Sequence, residues 1–306
     1  MRLALLALLV TLPLVGCPNN ESTDRPEPPD EKPIEHPKLK SGPPKAAPDD
    51  KPADVTSEQA LKIAGEAQKG VVTALPYIKV FLNEKRIEVE GEISVKSRQL
   101  EFFACAPPCG KAYESLLFWH CKPSDLHLAL LMIGLKPKPY EGRFQGGPGM
   151  GGQGEKKELS GDKVVIEIEW KDKKGNAVRR RAEDLLFDRY RQGCMRYAGF
   201  VFTGSYQADI PQPPDWETTR KAYAADKVTG TCVASTHDPE AVLDTPLAEG
   251  GDNTTYVAWE DRIPDRHTPI IAHLRPWKDG DDAEPADAKL AQGKEPPPGG
   301  WNGEEK

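Results

Sequence analysis

The chain has no basic excess: 41 lysines and arginines stand against 48 aspartates and glutamates, for a formal charge of −7. That argues against nucleic acid as the main partner, since such binding needs a basic face to neutralise phosphates. The apolar run from Leu3 to Val15 falls short of the roughly 20 residues that a transmembrane helix requires. No Gly-x-Ser-x-Gly elbow, His-Glu-x-x-His pair or phosphate loop is present, so the strong catalytic signatures are missing. With 306 residues, 38% hydrophobic and 29% charged, the composition accommodates one domain of about 200 residues and unfolded flanks.

What is present begins at the first residue. Met1-Arg2, the apolar run and Leu14-Val15-Gly16-Cys17 form an export signal whose ending resembles the lipobox of bacterial lipoproteins. Residues 1–17 are therefore read as a signal peptide, with Cys17 lipidated and first in the mature chain. Two or three acyl chains anchor stably, whereas one is marginal. The expected partner is thus a membrane reached through the lipid, together with an envelope protein or ligand that the sequence does not name. Pro18, in place of aspartate, permits delivery to the outer membrane or cell surface.

Residues 18–55 are rich in proline and nearly devoid of apolar side chains, and they read as a disordered tether. As a coil, such a segment reaches roughly 40 Å. Residues 278–306 repeat the pattern and read as a disordered tail. Between them, residues 56–277 should form the globular domain.

Within it, Thr56 and Gln59 fit a capping box, and Ala60, Ile63, Ala64 and Ala67 recur at helical spacing until Gly70. Strands are predicted at Tyr77–Leu82, Arg86–Val95 and Gln99–Cys105, and a buried helix after Pro123-Ser124-Asp125. A hairpin is expected where Val164, Ile166, Ile168 and Trp170 alternate with polar residues before Gly175-Asn176. Its basic cluster, Lys171, Lys173, Lys174 and Arg179 to Arg181, reads as a solvated face, with anionic lipid contact the alternative. A short helix over Ala182–Tyr190 follows, and further strands at Tyr197–Thr203, Lys227–Ala234, Thr254–Trp259 and Thr268–Leu274. Gly142 to Gly154 reads as a flexible excursion, since it lacks the strand and helix that a dinucleotide loop needs. The expected class is α+β: a single domain with a mostly antiparallel or mixed sheet and a few packed helices.

Two blocks carry a family likeness. The first runs from Leu100-Glu101 through Cys105 and Gly110-Lys111-Ala112-Tyr113-Glu114-Ser115 to Ser124-Asp125-Leu126-His127 and Ile133-Gly134; the second is Phe200-Val201-Phe202-Thr203-Gly204-Ser205. Together they resemble the YdjY-like domain of bacterial exported proteins, over about Tyr77 to Trp277. The likeness implies one folded domain in an exported setting and no particular reaction. Its motif residues here are Glu101, Lys111, Glu114, Ser115, His127 and Gly134. Where that family often carries histidine before the Glu-Ser pair, this chain has Tyr113, and a phenol is a poor substitute for an imidazole ligand.

Setting Cys17 aside, five cysteines remain: Cys105, Cys109, Cys121, Cys194 and Cys232. An odd number cannot all pair, so one or two disulfides with a thiol left over is the expectation in an oxidising compartment. Cys105-Ala-Pro-Pro-Cys109 is the most local candidate for a bridge or a pair of soft-metal ligands. Adding His120, Cys121 and His127 gives the donors of a zinc site, or of an iron–sulfur cluster if cysteines dominate, but without the spacing of a finger or ribbon. A buried pairing of Glu114 with His127 is the structural alternative. An enzyme would draw on Glu101, Glu114 and His127 with Ser115 or Cys121 as nucleophile. The balance of residues favours a non-enzymatic, membrane-anchored binding or envelope-assembly module with no cofactor. Metal or thiol-redox chemistry at Cys105, Cys109, Cys121 and His127 is the competing reading.

Overall fold

The computed structural model of the protein describes residues 57–96, 99–140, 159–211 and 219–297. All of them belong to the second of two units, Lys51–Lys306. Cys17, the signal, the tether, the Gly142 to Gly154 excursion and residues 298–306 lie outside the described residues.

The strands follow from alternation. In β3 (Arg86–Ile93), Ile87, Val89 and Ile93 are buried while Arg86, Glu88, Glu90 and Glu92 alternate to the other face. The same period runs through β6 (Lys163–Lys171) from Ile166 onward, and β16 (Pro269–Pro276) pairs with both β3 and β6 in antiparallel register, with Ala272 opposite both Val89 and Ile168. Around them are β1 (Val71–Val72), β2 (Ile78–Phe81), β4 (Phe102–Cys105), β5 (Ser115–Trp119) and β7 (Ala177–Arg181). Later come β8 (Leu186–Asp188), β9 (Gly193–Cys194), β10 (Phe200–Phe202), β11 (Gln207–Pro211), β12 (Thr219–Tyr223), β13 (Thr231–Ala234), β14 (Leu243–Asp244) and β15 (Tyr256–Ala258).

Eight of these strands close into a barrel. The order β3-β16-β6-β10-β14-β13-β4-β5 returns to β3 through the pairs Gly91–Trp119 and Ile93–Leu117. Two neighbours run parallel, β13 with β14 and β4 with β5; the others are antiparallel. The seam depends on glycine: a Cβ on Gly91 would stand 2.6 Å from the Phe118 carbonyl and 2.8 Å from the Trp119 ring. Closure leaves the barrel strands no free edge. Its interior is packed with Ile87, Phe103, Leu117, Trp119, Phe200 and Phe202, each removed from water, and each contributing about 1.5–3 kcal/mol of transfer free energy.

The α+β expectation is therefore overturned, because the domain is mostly β. The two α-helices among the described residues, α1 (Ser57–Ala67) and α2 (Pro123–Met132), are short and flank the barrel. α2 buries the stripe Pro123, Leu126, Ala129 and Leu130 while Leu131 stays exposed, so it is one-sided, not buried all round. Two features hid the closure. In β5, Leu116 to Trp119 is a short continuous apolar run without alternation, and β14 has only two residues. The predicted helix over Ala182–Tyr190 is a 3-10 turn (Ala182–Leu185) that runs straight into β8, and Lys227–Ala234 is a π-helical turn (Ala225–Thr229) followed by β13.

A second small sheet, β15-β8-β9, carries its own apolar cluster of Phe187, Cys194, Tyr197, Val257, Trp259 and Ala288. Ala288 belongs to the segment expected as tail. Residues 278–297 instead dock on the domain: the Cys194 N–H donates to the Ala288 carbonyl at 2.7 Å, and Glu284 accepts two bonds from Arg191 at 2.9 and 3.0 Å. The hairpin β6–β7 forms as expected, and most of its cations are paired. Arg179 pairs with Glu169 at 2.6 Å, Arg180 with Asp287 at 3.5 Å and Lys173 with Asp265 at 3.2 Å.

Candidate functional site

The site grows out of one strand pairing. β4 and β5 run parallel with Phe102 opposite Ser115, so the residues just before them, Glu101 and Glu114, stand side by side. The Glu101 N–H donates to the Glu114 carbonyl at 3.1 Å, which fixes both backbones. Lys111 reaches over both, its Nζ 3.2 Å from Glu101 Oε2 and 3.5 Å from Glu114 Oε2. Asn253 donates to the remaining Glu101 oxygen at 3.2 Å. Burial first, and then the Glu101 charge, push the Glu114 carboxyl above its ordinary value, with Lys111 opposing.

The same turn carries a thiol pair. Cys105 ends β4 and is fully buried, whereas Cys109 is half-buried at the surface. The Lys111 N–H donates to Cys109 Sγ at 3.4 Å. Cys109 is brought down to about 7, chiefly by the Cys105 thiol and then by the Lys111 N–H and charge. Cys105 goes the other way, pushed up by its neighbour and by burial.

Other expected groupings do not assemble. Cys121 lies beside Cys232, whose complete enclosure pushes it well up, with the Cys121 and Cys105 thiols adding to the shift. Cys194 stands alone in the small sheet, raised to about 12 by burial and the Asp184 charge. All five cysteines are free thiols, so the expected disulfides are not formed. Ser115 is fully buried and donates to the Leu117 carbonyl at 2.9 Å, and Cys121 is almost as enclosed. Among the described residues, no three His, Cys, Asp or Glu side chains stand where they could hold a metal ion.

His127 does not pair with Glu114. Its Nδ1 lies 3.1 Å from the Gly204 carbonyl and 2.9 Å from the Tyr223 hydroxyl, and its ring meets Phe202 edge-on with centroids 5.0 Å apart. Burial lowers its pKa, offset in part by the Gly204 carbonyl. The two sequence blocks therefore meet here, with His127 seated against Phe202-Thr203-Gly204. Gly134 ends α2 at φ +90° and lines a separate cleft of about 680 Å³ with Lys85, Asp162, Lys163, Arg275 and Trp277.

A model of the YdjY domain matches residues 78–275. The chain belongs to the YdjY-domain family. No curated protein and no solved structure matches it significantly. In this YdjY domain, the motif residues Glu101, Lys111 and Glu114 converge at one end of β4 and β5, while His127 and Gly134 serve α2 and its contacts.

Two features escaped the sequence. Asn253 completes the carboxylate cluster from a distant loop. A second polar cluster joins His237, Asp238, Asp244 and Tyr140: Asp238 N–H donates to Asp244 Oδ2 at 3.0 Å, His237 Nδ1 lies 3.4 Å from Oδ1, and the Tyr140 hydroxyl bonds Oδ2. Burial raises Asp238 to about 6. The only local signal was His237-Asp238-Pro239, a polar turn between apolar runs.

Proposed function

We propose that this chain is an exported lipoprotein, lipidated at Cys17, that holds its YdjY domain away from a membrane of the cell envelope as a non-enzymatic binding or assembly module. The address comes from Leu14-Val15-Gly16-Cys17, and the spacer from the proline-rich residues 18–55. The observation that carries the binding reading is the Glu101–Lys111–Glu114 cluster. Strand pairing holds three charged side chains in one arrangement, with Lys111 about half exposed. Such a cluster suits a ligand that offers both hydrogen-bond donors and an anionic group. Delivery to the outer membrane fits Pro18 after the lipidated cysteine.

Two measurements test this. Growth with a labelled fatty acid should tag the wild type and leave Cys17→Ser untagged; an untagged wild type removes the anchor. The full chain, presented with esterase, phosphatase and protease substrates, should turn over none of them. Turnover that is lost in Glu114→Ala would replace the binding module with an enzyme.

A further inference from the structure

We propose that Cys109 and Cys105 are a dithiol–disulfide couple that exchanges electrons with a substrate disulfide, Cys109 being the attacking sulfur and Cys105 the resolving one. This goes beyond the binding reading and does not depend on the anchor.

The fold builds the pair. Cys105 is the last residue of β4, and the chain returns to it through Ala106-Pro107-Pro108, closed by the Cys109 N–H donating to the Ala106 carbonyl at 2.9 Å. The loop is pinned to the start of β13 by the Ala106 N–H bonding the Gly230 carbonyl at 2.8 Å. Gly230 has φ +72°, and a Cβ there would stand 2.3 Å from the Ala106 carbonyl and 2.8 Å from Cys109 Cβ. The loop therefore packs on bare backbone, and this close approach requires glycine.

The two sulfurs are unequal, as such a couple needs. Cys109 is within reach of solvent, accepts a hydrogen bond from the Lys111 N–H at 3.4 Å and lies beside the Lys111 charge, three residues of tight turn from Cys105. These groups favour its thiolate, the form that attacks. Cys105 is enclosed and stays protonated until a bond forms at its neighbour. The other three thiols, Cys121, Cys194 and Cys232, are no more than 1% exposed and serve as internal controls.

The exchange balances without a further reagent. Cys109 thiolate attacks one sulfur of the substrate disulfide; the S–S bond breaks, and the first substrate thiolate leaves to take a proton from water. Cys105 then attacks the Cys109 sulfur of the mixed disulfide. Its proton passes to the second substrate thiolate as that group departs. The substrate gains two electrons, and Cys105–Cys109 closes as a disulfide. A substrate dithiol reopens it through the same mixed disulfide in reverse.

Oxidised glutathione serves as the probe, with the full chain in detergent micelles and mass spectrometry after alkylation as the readout. The wild type should lose two free thiols, with Cys105 linked to Cys109. Cys105→Ser should hold one glutathione on Cys109, and Cys109→Ser none. Because Cys105 is buried, the wild type is also titrated against mixtures of reduced and oxidised glutathione, where the link should open and close reversibly. Alkylation of Cys109 should show a midpoint near neutrality, against about 8.5 for an ordinary thiol. A link that stays closed in excess reduced glutathione is a structural bridge and overturns the proposal. So does a Cys105→Ser protein whose adduct is absent or spread over Cys121, Cys194 and Cys232.

Discussion

The ion pairs at Arg181 and at Lys111 differ in how completely their charges are answered. At Arg181, the guanidinium grips Glu183 with two bonds of 3.0 and 2.6 Å and donates a third to the Asp281 carbonyl. Glu183 is fully buried, and the Gly199 N–H donates to it as well at 3.0 Å. The Tyr197 and Trp277 rings cover Arg181 at 4.5 and 5.7 Å. At Lys111, one ammonium serves two carboxylates that also face each other, and Glu114 Oε2, enclosed, has no hydrogen bond. The first arrangement holds the docked segment 278–297 to the barrel. The second leaves charge in excess of its partners, which is how binding and catalytic clusters differ from structural ones.

The sharpest way to break this comparison is Arg181→Leu. The substitution strands a buried Glu183 carboxylate, and losing one partner of such a pair costs about 3–5 kcal/mol. For a domain of this size the melting temperature should fall by on the order of 10 °C. Pairing it with Glu183→Leu should recover much of that loss, because an apolar pair carries no desolvation penalty. A single variant that melts with the wild type would show that Arg181 is not structural.

Lys111→Met should act more weakly on stability and more strongly on titration. Lys111 is 47% exposed, so solvent screens its pairs, and the loss should be about 1 kcal/mol or less. Without the ammonium, two adjacent carboxylates cannot both stay ionised cheaply, so the pair should hold a proton to higher pH. Side-chain carboxyl NMR across a pH series reads this directly. Unmoved titration curves would mean that the lysine does not govern the cluster.

The barrel's open stretches were readable because β3 alternates strictly and β6 alternates from Ile166 onward. Its closure was not, because the β3–β5 seam rests on hydrogen bonds between chain segments that carry no pairing signal in sequence. The closeness of Glu101 to Glu114 is likewise a product of parallel register, while Asn253 arrives from 152 residues away. His127 was grouped with Glu114 by sequence proximity, but α2 turns it toward Gly204. The Cys105–Cys109 pair was legible, since a three-residue gap with two prolines keeps the sulfurs together. The Cys121–Cys232 contact was not, since β13 brings it from far along the chain.

The smallest effect, and the most specific, is the pH dependence carried by Glu114. Its folded carboxyl sits above the ordinary value because burial and the Glu101 charge disfavour ionisation. In the window between the unfolded and folded values, the folded state binds more protons, so this group makes stability fall as pH rises. Glu114→Gln removes the titration and keeps the shape. The variant should therefore lose stability relative to wild type least at about pH 7, and compare worst with it at about pH 4, where the protonated carboxyl is most favoured in the folded state. Urea midpoints at the two pH values give the difference. If the difference between Glu114→Gln and the wild type stayed the same at both pH values, the reading of Glu114 as an over-subscribed charge would fail at its most direct point.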